Sequence, residues 1–274
     1  MASHWRRFLP KRGSATVVMP DGMRLSTVRS VDDAHAFAGS VKALGPREER
    51  GDEAERLRTQ LLAQTPRAVL AQQQMDRHKH GYHNREKRLF ELIDFNDTFV
   101  SLVLATPHEQ LPGFADQLKK DMTDFCDRLD TPMFSDEQYD AIVRGLAREI
   151  AVYRSAKYMG FGVRMTNRTE DAFGIDMIVT QPGTGKVLNI DCKTPPAFRH
   201  RLEELIRHGR IGEDRLVPAD EAGFLTVMQH RGQEAVPVTL LCILPDRLGE
   251  IHDFTFDQPE RLKAMLDTVF ASLD

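Results

Sequence analysis

Two runs decide how the second half of the chain is read: Gly174-Ile175-Asp176-Met177-Ile178-Val179 and Val187-Leu188-Asn189-Ile190-Asp191-Cys192-Lys193. Side chains alternate between the two faces of a strand. In the first run Ile175, Met177 and Val179 share one face and Asp176 takes the other. In the second, Leu188, Ile190 and Cys192 take the apolar face, and Asn189, Asp191 and Lys193 the opposite one. Gln181-Pro182-Gly183-Thr184-Gly185-Lys186 lies between them and reads as a turn. The pattern predicts a hairpin that sets two carboxylates and an amine on one face of adjacent strands. Carboxylate oxygens are the ligands hard cations such as Mg²⁺ take. A lysine beside them can orient an attacking water and stabilise charge developing on a phosphate.

Upstream, Ser135-Asp136-Glu137-Gln138 has the spacing of a capping box and starts a helix. That helix should run to about Met159 and stop at Gly160. Tyr139, Ile142, Leu146, Ile150 and Tyr153 trace its buried stripe, and Glu149 lies three residues past Leu146 and four before Tyr153. A carboxylate facing a sheet is costly unless it is paired or bound to a cation. Strands are expected over Phe161–Met165, Ile175–Thr180 and Val187–Thr194. A helix follows from Leu202 to about His208, then a buried strand over Val236–Leu244 and a closing helix over Pro259–Leu273. The expected fold class is α/β: a mixed sheet flanked by helices.

The first half reads differently. Residues 1 to about 48 mix strand-like and turn-like pieces, with a hairpin expected from Thr16 to Val28 around Pro20-Asp21-Gly22. From Arg47 to about Leu129 apolar residues recur at helical spacing, first as Leu57, Leu61, Leu62, Val69 and Leu70. We therefore expect a mainly helical N-terminal region over residues 1–130, of unknown role, and a second domain over residues 131–274.

The order of motifs in that second domain resembles the PD-(D/E)xK nuclease superfamily, which includes many restriction enzymes and Holliday-junction resolvases. The matching residues are Glu149 on a helix, Gly160-Phe161-Gly162-Val163, Gly174-Ile175-Asp176 and Asp191-Cys192-Lys193. Gly-Ile-Asp stands where the family pattern has Pro-Asp. The resemblance covers about Ser135 to Thr194, extending to Leu244 as a later strand, and says nothing of residues 1–130. It implies a restriction-endonuclease-like core and Mg²⁺-dependent hydrolysis of phosphodiester bonds, with Mn²⁺ as a substitute cofactor. Asp176, Asp191, the backbone carbonyl of Cys192 and Glu149, directly or through water, would be the metal ligands. Lys193 would be the catalytic amine. The implied activity is that of an endonuclease, with DNA the expected substrate. Many members pair to cut both strands, so a homodimer is compatible with the resemblance, although no interface is visible in the sequence.

Composition narrows the alternatives. Of 274 residues, 41% are hydrophobic, enough for a real core. The net charge of −4 does not announce nucleic-acid binding, yet a local basic groove is what attracts phosphates. Arg199 and Arg201, then Arg207 and Arg210, follow the active strand closely and are the candidate nucleic-acid contacts; an exposed helix face is the bland reading of the same residues. Three cysteines, Cys126, Cys192 and Cys242, are too scattered for a disulfide framework or a zinc pair, which suits reduced thiols in a cytoplasmic protein. No apolar run approaches the ~20 residues of a membrane span, so no membrane partner is expected. Gly183-Thr184-Gly185-Lys186 imitates the end of a phosphate-binding loop, but it lacks the first glycine and the following Ser or Thr, and it leads into a strand. Arg77 to Arg88 is dense in Arg, Lys and His, with Tyr82 available to stack on a base, and a solvated helix end is its plainer reading. His230 is a candidate proton carrier near the site, though a lone histidine is more often structural. Two further accounts compete with a nuclease. In one, Asp176, Asp191 and Lys193 form only a surface ion pair; in the other, the chain is a catalytically inactive nuclease-fold protein that binds nucleic acid or serves in assembly.

Overall fold

A computed structural model describes residues 24–43, 53–77, 85–166, 170, 174–231 and 234–273. The hairpin expected from Thr16 falls mostly outside them, as does most of the basic run between Arg77 and Arg88. Where the hairpin's end is described, Leu25–Thr27 form a 3₁₀ turn and not a strand. The chain divides by its contacts into two compact units, Met1–Val143 and Arg144–Asp274, and the division falls inside one long helix.

The first unit is helical among its described residues: α1 (Val31–Ala43), α2 (Glu53–Arg77), α3 (Arg85–Ala105), α4 (Phe114–Arg128) and the start of α5 (Asp136–Tyr158). Helix α1 was not foreseen, although its buried residues Ala34, Phe37, Ala38 and Val41 fall on one helical stripe. They pack with Leu25, Val28, Ala63, Phe125 and Leu129 into one cluster. The capping box that opens α5 is present in both directions. Ser135 N–H donates to Gln138 Oε1 at 2.9 Å, and Gln138 N–H donates to Ser135 Oγ at 3.2 Å.

The second unit is built on a five-stranded mixed sheet. Strands β1 (Gly162–Met165), β2 (Met177–Thr180) and β3 (Val187–Lys193) form an antiparallel meander. Helix α6 (Pro195–Arg207) follows, then α7 (Leu216–Ala222), β4 (Phe224–Arg231) and β5 (Glu234–Cys242). The spatial order is β1-β2-β3-β5-β4, with β5 parallel to β3 and antiparallel to β4. A short helix, α8 (Pro245–Leu248), a small two-stranded ribbon of β6 (Ile251–His252) and β7 (Thr255–Phe256), and α9 (Pro259–Ala271) complete the unit.

Two apolar clusters fix which helices lie on which face. On one face Met177, Val179, Leu188, Ile190 and Leu241 pack with Ala151, Val152 and Ala156 of α5 and Leu262, Leu266, Val269 and Phe270 of α9. On the other, Leu240, Cys242, Leu225 and Val227 pack with Phe198, Leu202 and Leu205 of α6 and Ala219 of α7. The α/β class and the mainly helical N-terminal region are therefore as expected. Strand β4 and helix α7 are additions to that expectation. Helix α6 also begins seven residues earlier than periodicity suggested. Thr194 caps it by accepting a hydrogen bond from Ala197 N–H, and Pro195 occupies the first turn, where its missing N–H costs nothing. No helix among the described residues is long and apolar enough to cross a membrane.

Candidate active site

The β2–β3 hairpin forms in the expected register, Met177 opposite Ile190 and Thr180 opposite Val187. Its turn is closed by Gln181 N–H to Lys186 O at 2.9 Å, and Gly183 and Gly185 have φ of 83° and 70°, the left-handed region open to glycine. Gly183-Thr184-Gly185-Lys186 is thus a hairpin turn and not a phosphate loop.

The paired ladder ends at Met177 opposite Ile190, and Asp176 lies one residue beyond it. Asp176 N–H still donates to Ile190 O at 2.8 Å. The next rung is different. Cys192 N–H donates to the Asp176 carboxylate, Oδ2, at 2.6 Å, where a backbone carbonyl would otherwise serve. On the other side, Asp176 O accepts from Thr166 N–H at 3.1 Å and from Thr166 Oγ1 at 2.9 Å. Asp176 is therefore held from both neighbouring strands. Because the N–H and C=O of one strand residue point to the same side, the Cys192 carbonyl also faces the end of β2.

Asp191 is buried, 4% exposed, and its Oδ1 is ion-paired with Lys193 Nζ. The lysine is half-buried. Burial alone would lower its pKa, but the Asp191 carboxylate, by charge and hydrogen bond, and Asp176 outweigh that effect and raise it. Lys193 is an ammonium when the pair is intact. Glu149, half-buried on α5, belongs to the same electrostatic neighbourhood. The Cys192 thiol is pushed well above its usual range first by burial, then by the negative charges of Asp176, Glu149 and Asp191. The hairpin thus supplies Asp176, Asp191 and Lys193, and the preceding helix brings Glu149 close enough to act on the residue between the last two.

Gly174, φ 68°, closes the far side. A Cβ placed there would lie 3.6 Å from both Asp191 Oδ2 and Gln229 Nε2. Gln229, on β4, is a residue that sequence reasoning passed over. It shares the face of Leu225 and Val227, an alternation visible only once Phe224–Arg231 is recognised as a strand. His230 points elsewhere and lines a cleft beside β4.

The donor set has the chemistry a hard divalent cation takes: carboxylate oxygens at the end of the hairpin with a backbone carbonyl beside them. Among the described residues no three acidic, histidine or cysteine groups already stand as a ready ligand cage. The arginines are more dispersed. Arg199 pairs with Glu203 at 4.0 Å and Arg201 with Glu204 at 3.1 Å along α6. Arg207 is exposed in the last turn of α6, and Arg210 lines the same cleft as His230. Comparison with protein families, curated proteins and solved structures yields no match for this chain.

Proposed function

We propose that the unit of residues 144–274 is a divalent-metal-dependent nuclease that hydrolyses phosphodiester bonds, with DNA as its substrate. One observation carries the reading. Asp176 and Asp191 lie at the open end of the β2–β3 hairpin, and the charges of both act on Lys193, which is ion-paired with Asp191. Asp176, Asp191, the Cys192 carbonyl and Glu149 would hold Mg²⁺, or Mn²⁺ in its place. When bound, the ion polarises the scissile phosphate and lowers the pKa of a water. Lys193 contributes positive charge to the anionic transition state, and Asp191 orients its amine. Cys192 N–H fixes the Asp176 carboxylate, so that its orientation does not depend on side-chain freedom. Arg199, Arg201 and Arg207 would meet phosphates along α6 by exchanging their glutamate partners.

The test is cleavage of supercoiled plasmid, linear duplex and single-stranded DNA with Mg²⁺, Mn²⁺ or EDTA. Metal-dependent cutting that is lost in Asp191→Asn, with the variant shown folded by circular dichroism, supports the proposal. Undiminished cutting by Asp191→Asn rules out this site.

The Asp191–Lys193 pair also suits a second reading, a nuclease-fold scaffold that binds nucleic acid or serves in assembly without catalysis. There the amine only neutralises a buried carboxylate. That reading expects no heat on titration with Mn²⁺, whereas the nuclease reading expects a heat that disappears in Asp176→Ala.

A further inference from the structure

Strand β4, one of the two edge strands of the sheet among the described residues, borders a cleft of about 490 Å³. Leu225, Thr226, Val227, Met228 and His230 line it. Successive side chains of a strand point to opposite faces, so a cavity resting on one face would be lined by every second residue. Four consecutive lining residues put this cleft on the strand's edge.

The backbone groups that face the edge follow from the ladder. Cys242 N–H donates to Gly223 O at 2.8 Å, one rung before Phe224 opposite Leu241. Backbone groups alternate sides along a strand, so those of Leu225, Val227 and Gln229 turn inward to β5. Those of Phe224, Thr226, Met228 and His230 turn outward. Pro237 fixes the same parity independently. It has no N–H to offer, stands opposite Met228, and its carbonyl accepts from Asn189 of β3 at 2.9 Å, away from β4.

Sheet edges in proteins that keep them bare are usually blunted by proline, lysine or a bulge. Strand β4 contains neither proline nor lysine, pairs with β5 rung for rung from Phe224 to Arg231, and leaves Met228 51% exposed. The cleft is also of one charge. Arg210 and Arg215 line it, and no acidic residue among the described residues does. Neither guanidinium is ion-paired among the described residues. Asp214, next to Arg215, is folded against Gly212.

We propose that the β4 edge is a docking site for an extended acidic segment of a partner protein, which joins the sheet as a further strand. Its backbone pairs with Thr226, Met228 and His230, and its carboxylates meet Arg210 and Arg215. The alternating row of N–H and C=O groups favours a polypeptide over nucleic acid, because a phosphate chain has no donors for the outward carbonyls. This inference does not depend on the nuclease reading.

Fluorescence anisotropy tests it on the full chain with a fluorescein-labelled octapeptide alternating threonine and glutamate. The controls are the same peptide with lysine for glutamate, a backbone N-methylated version, and oligo-dT. The glutamate peptide should bind, weakening as salt rises. The lysine and N-methylated peptides should bind at least about tenfold more weakly. Met228→Pro removes an outward N–H without touching the β5 ladder, so it should weaken binding by about tenfold or more. The double variant Arg210→Ala/Arg215→Ala should do the same. Absence of glutamate-peptide binding overturns the proposal, as does binding indifferent to N-methylation. Oligo-dT binding that the arginine variant abolishes and Met228→Pro leaves unchanged would make the cleft a phosphate site instead.

Discussion

The Asp176 carboxylate accepts a 2.6 Å hydrogen bond from Cys192 N–H and so closes the β2–β3 ladder one rung past the last backbone pair. A side chain here does the work of a carbonyl, which couples the proposed metal ligand to the integrity of the hairpin. A hydrogen bond to a charged group contributes roughly 1.5–3 kcal/mol. Asp176→Ala should lower unfolding free energy by about that amount in urea denaturation, and should also abolish metal-dependent cleavage. Asp176→Asn keeps an acceptor oxygen and should recover most of the stability while cleavage stays down by about 10²-fold or more. Equal stability loss in both variants would show that the bond contributes little.

Lys193 and Asp191 call for a more careful substitution than sequence reasoning suggests. From the sequence, Lys193→Ala reads as a clean catalytic knockout. In the structure Asp191 is buried and paired with Lys193, and removing one partner of a buried pair strands the other charge at a cost of about 3–5 kcal/mol. Lys193 retains partial exposure, so we expect the lower end of that range for Lys193→Ala. The double variant Asp191→Asn/Lys193→Gln should regain much of the loss without regaining activity. Chemical denaturation of the three proteins checks this, and a single variant as stable as wild type would contradict it.

The hairpin was legible because its strands alternate in polarity, so a period of two placed Met177, Val179, Leu188 and Ile190 on one buried face, whereas Asp176 lies one residue outside β2, where the regular ladder has ended. The long α5 was legible for a similar reason, with Leu146 and Ile150 buried as the stripe required. Strand β4 was not. Leu225 and Val227 face the α6–α7 cluster, while Phe224 packs against the opposite one. Apolar residues on both faces erase the alternation that marks a half-buried strand. With β4 unread, Gln229 had no face and its approach to Gly174 could not be foreseen. The start of α6 was obscured because Pro195 and Pro196 look like breakers, although proline in a first turn after Thr194 is a start signal.

Alkaline pH should destabilise the protein through its buried thiols. Burial pushes the Cys126 thiol up to about 11. Burial does the same for Cys242, also to about 11, against the opposing charge of Arg247. In the unfolded chain a thiol releases its proton near its ordinary value of about 8.5. Between that value and about 11 the folded state holds protons the unfolded state has lost, so stability falls as pH rises. Below the ordinary value the contribution is complete. Melting temperature followed across this range should decline more steeply for wild type than for Cys126→Ala/Cys242→Ala. Parallel curves would show that other groups govern alkaline unfolding.

Gly174 is the position where backbone and site meet. Its φ of 68° lies in the left-handed region, which costs a residue with a Cβ about 1–2 kcal/mol. A Cβ there would sit 3.6 Å from Asp191 Oδ2 and from Gln229 Nε2. That is ordinary contact, so Gly174→Ala should fold, with a stability loss in the strain range and no steric addition. The methyl would nevertheless occupy the space between a carboxylate oxygen and an amide, both of which would face substrate or ion in the nuclease reading. Cleavage should therefore fall by far more than stability accounts for. Gln229→Ala in the Gly174→Ala background distinguishes crowding from strain. If crowding against the amide is the cause, the second substitution restores part of the rate at unchanged stability. A rate that stays at the level of Gly174→Ala alone would assign the loss to the backbone.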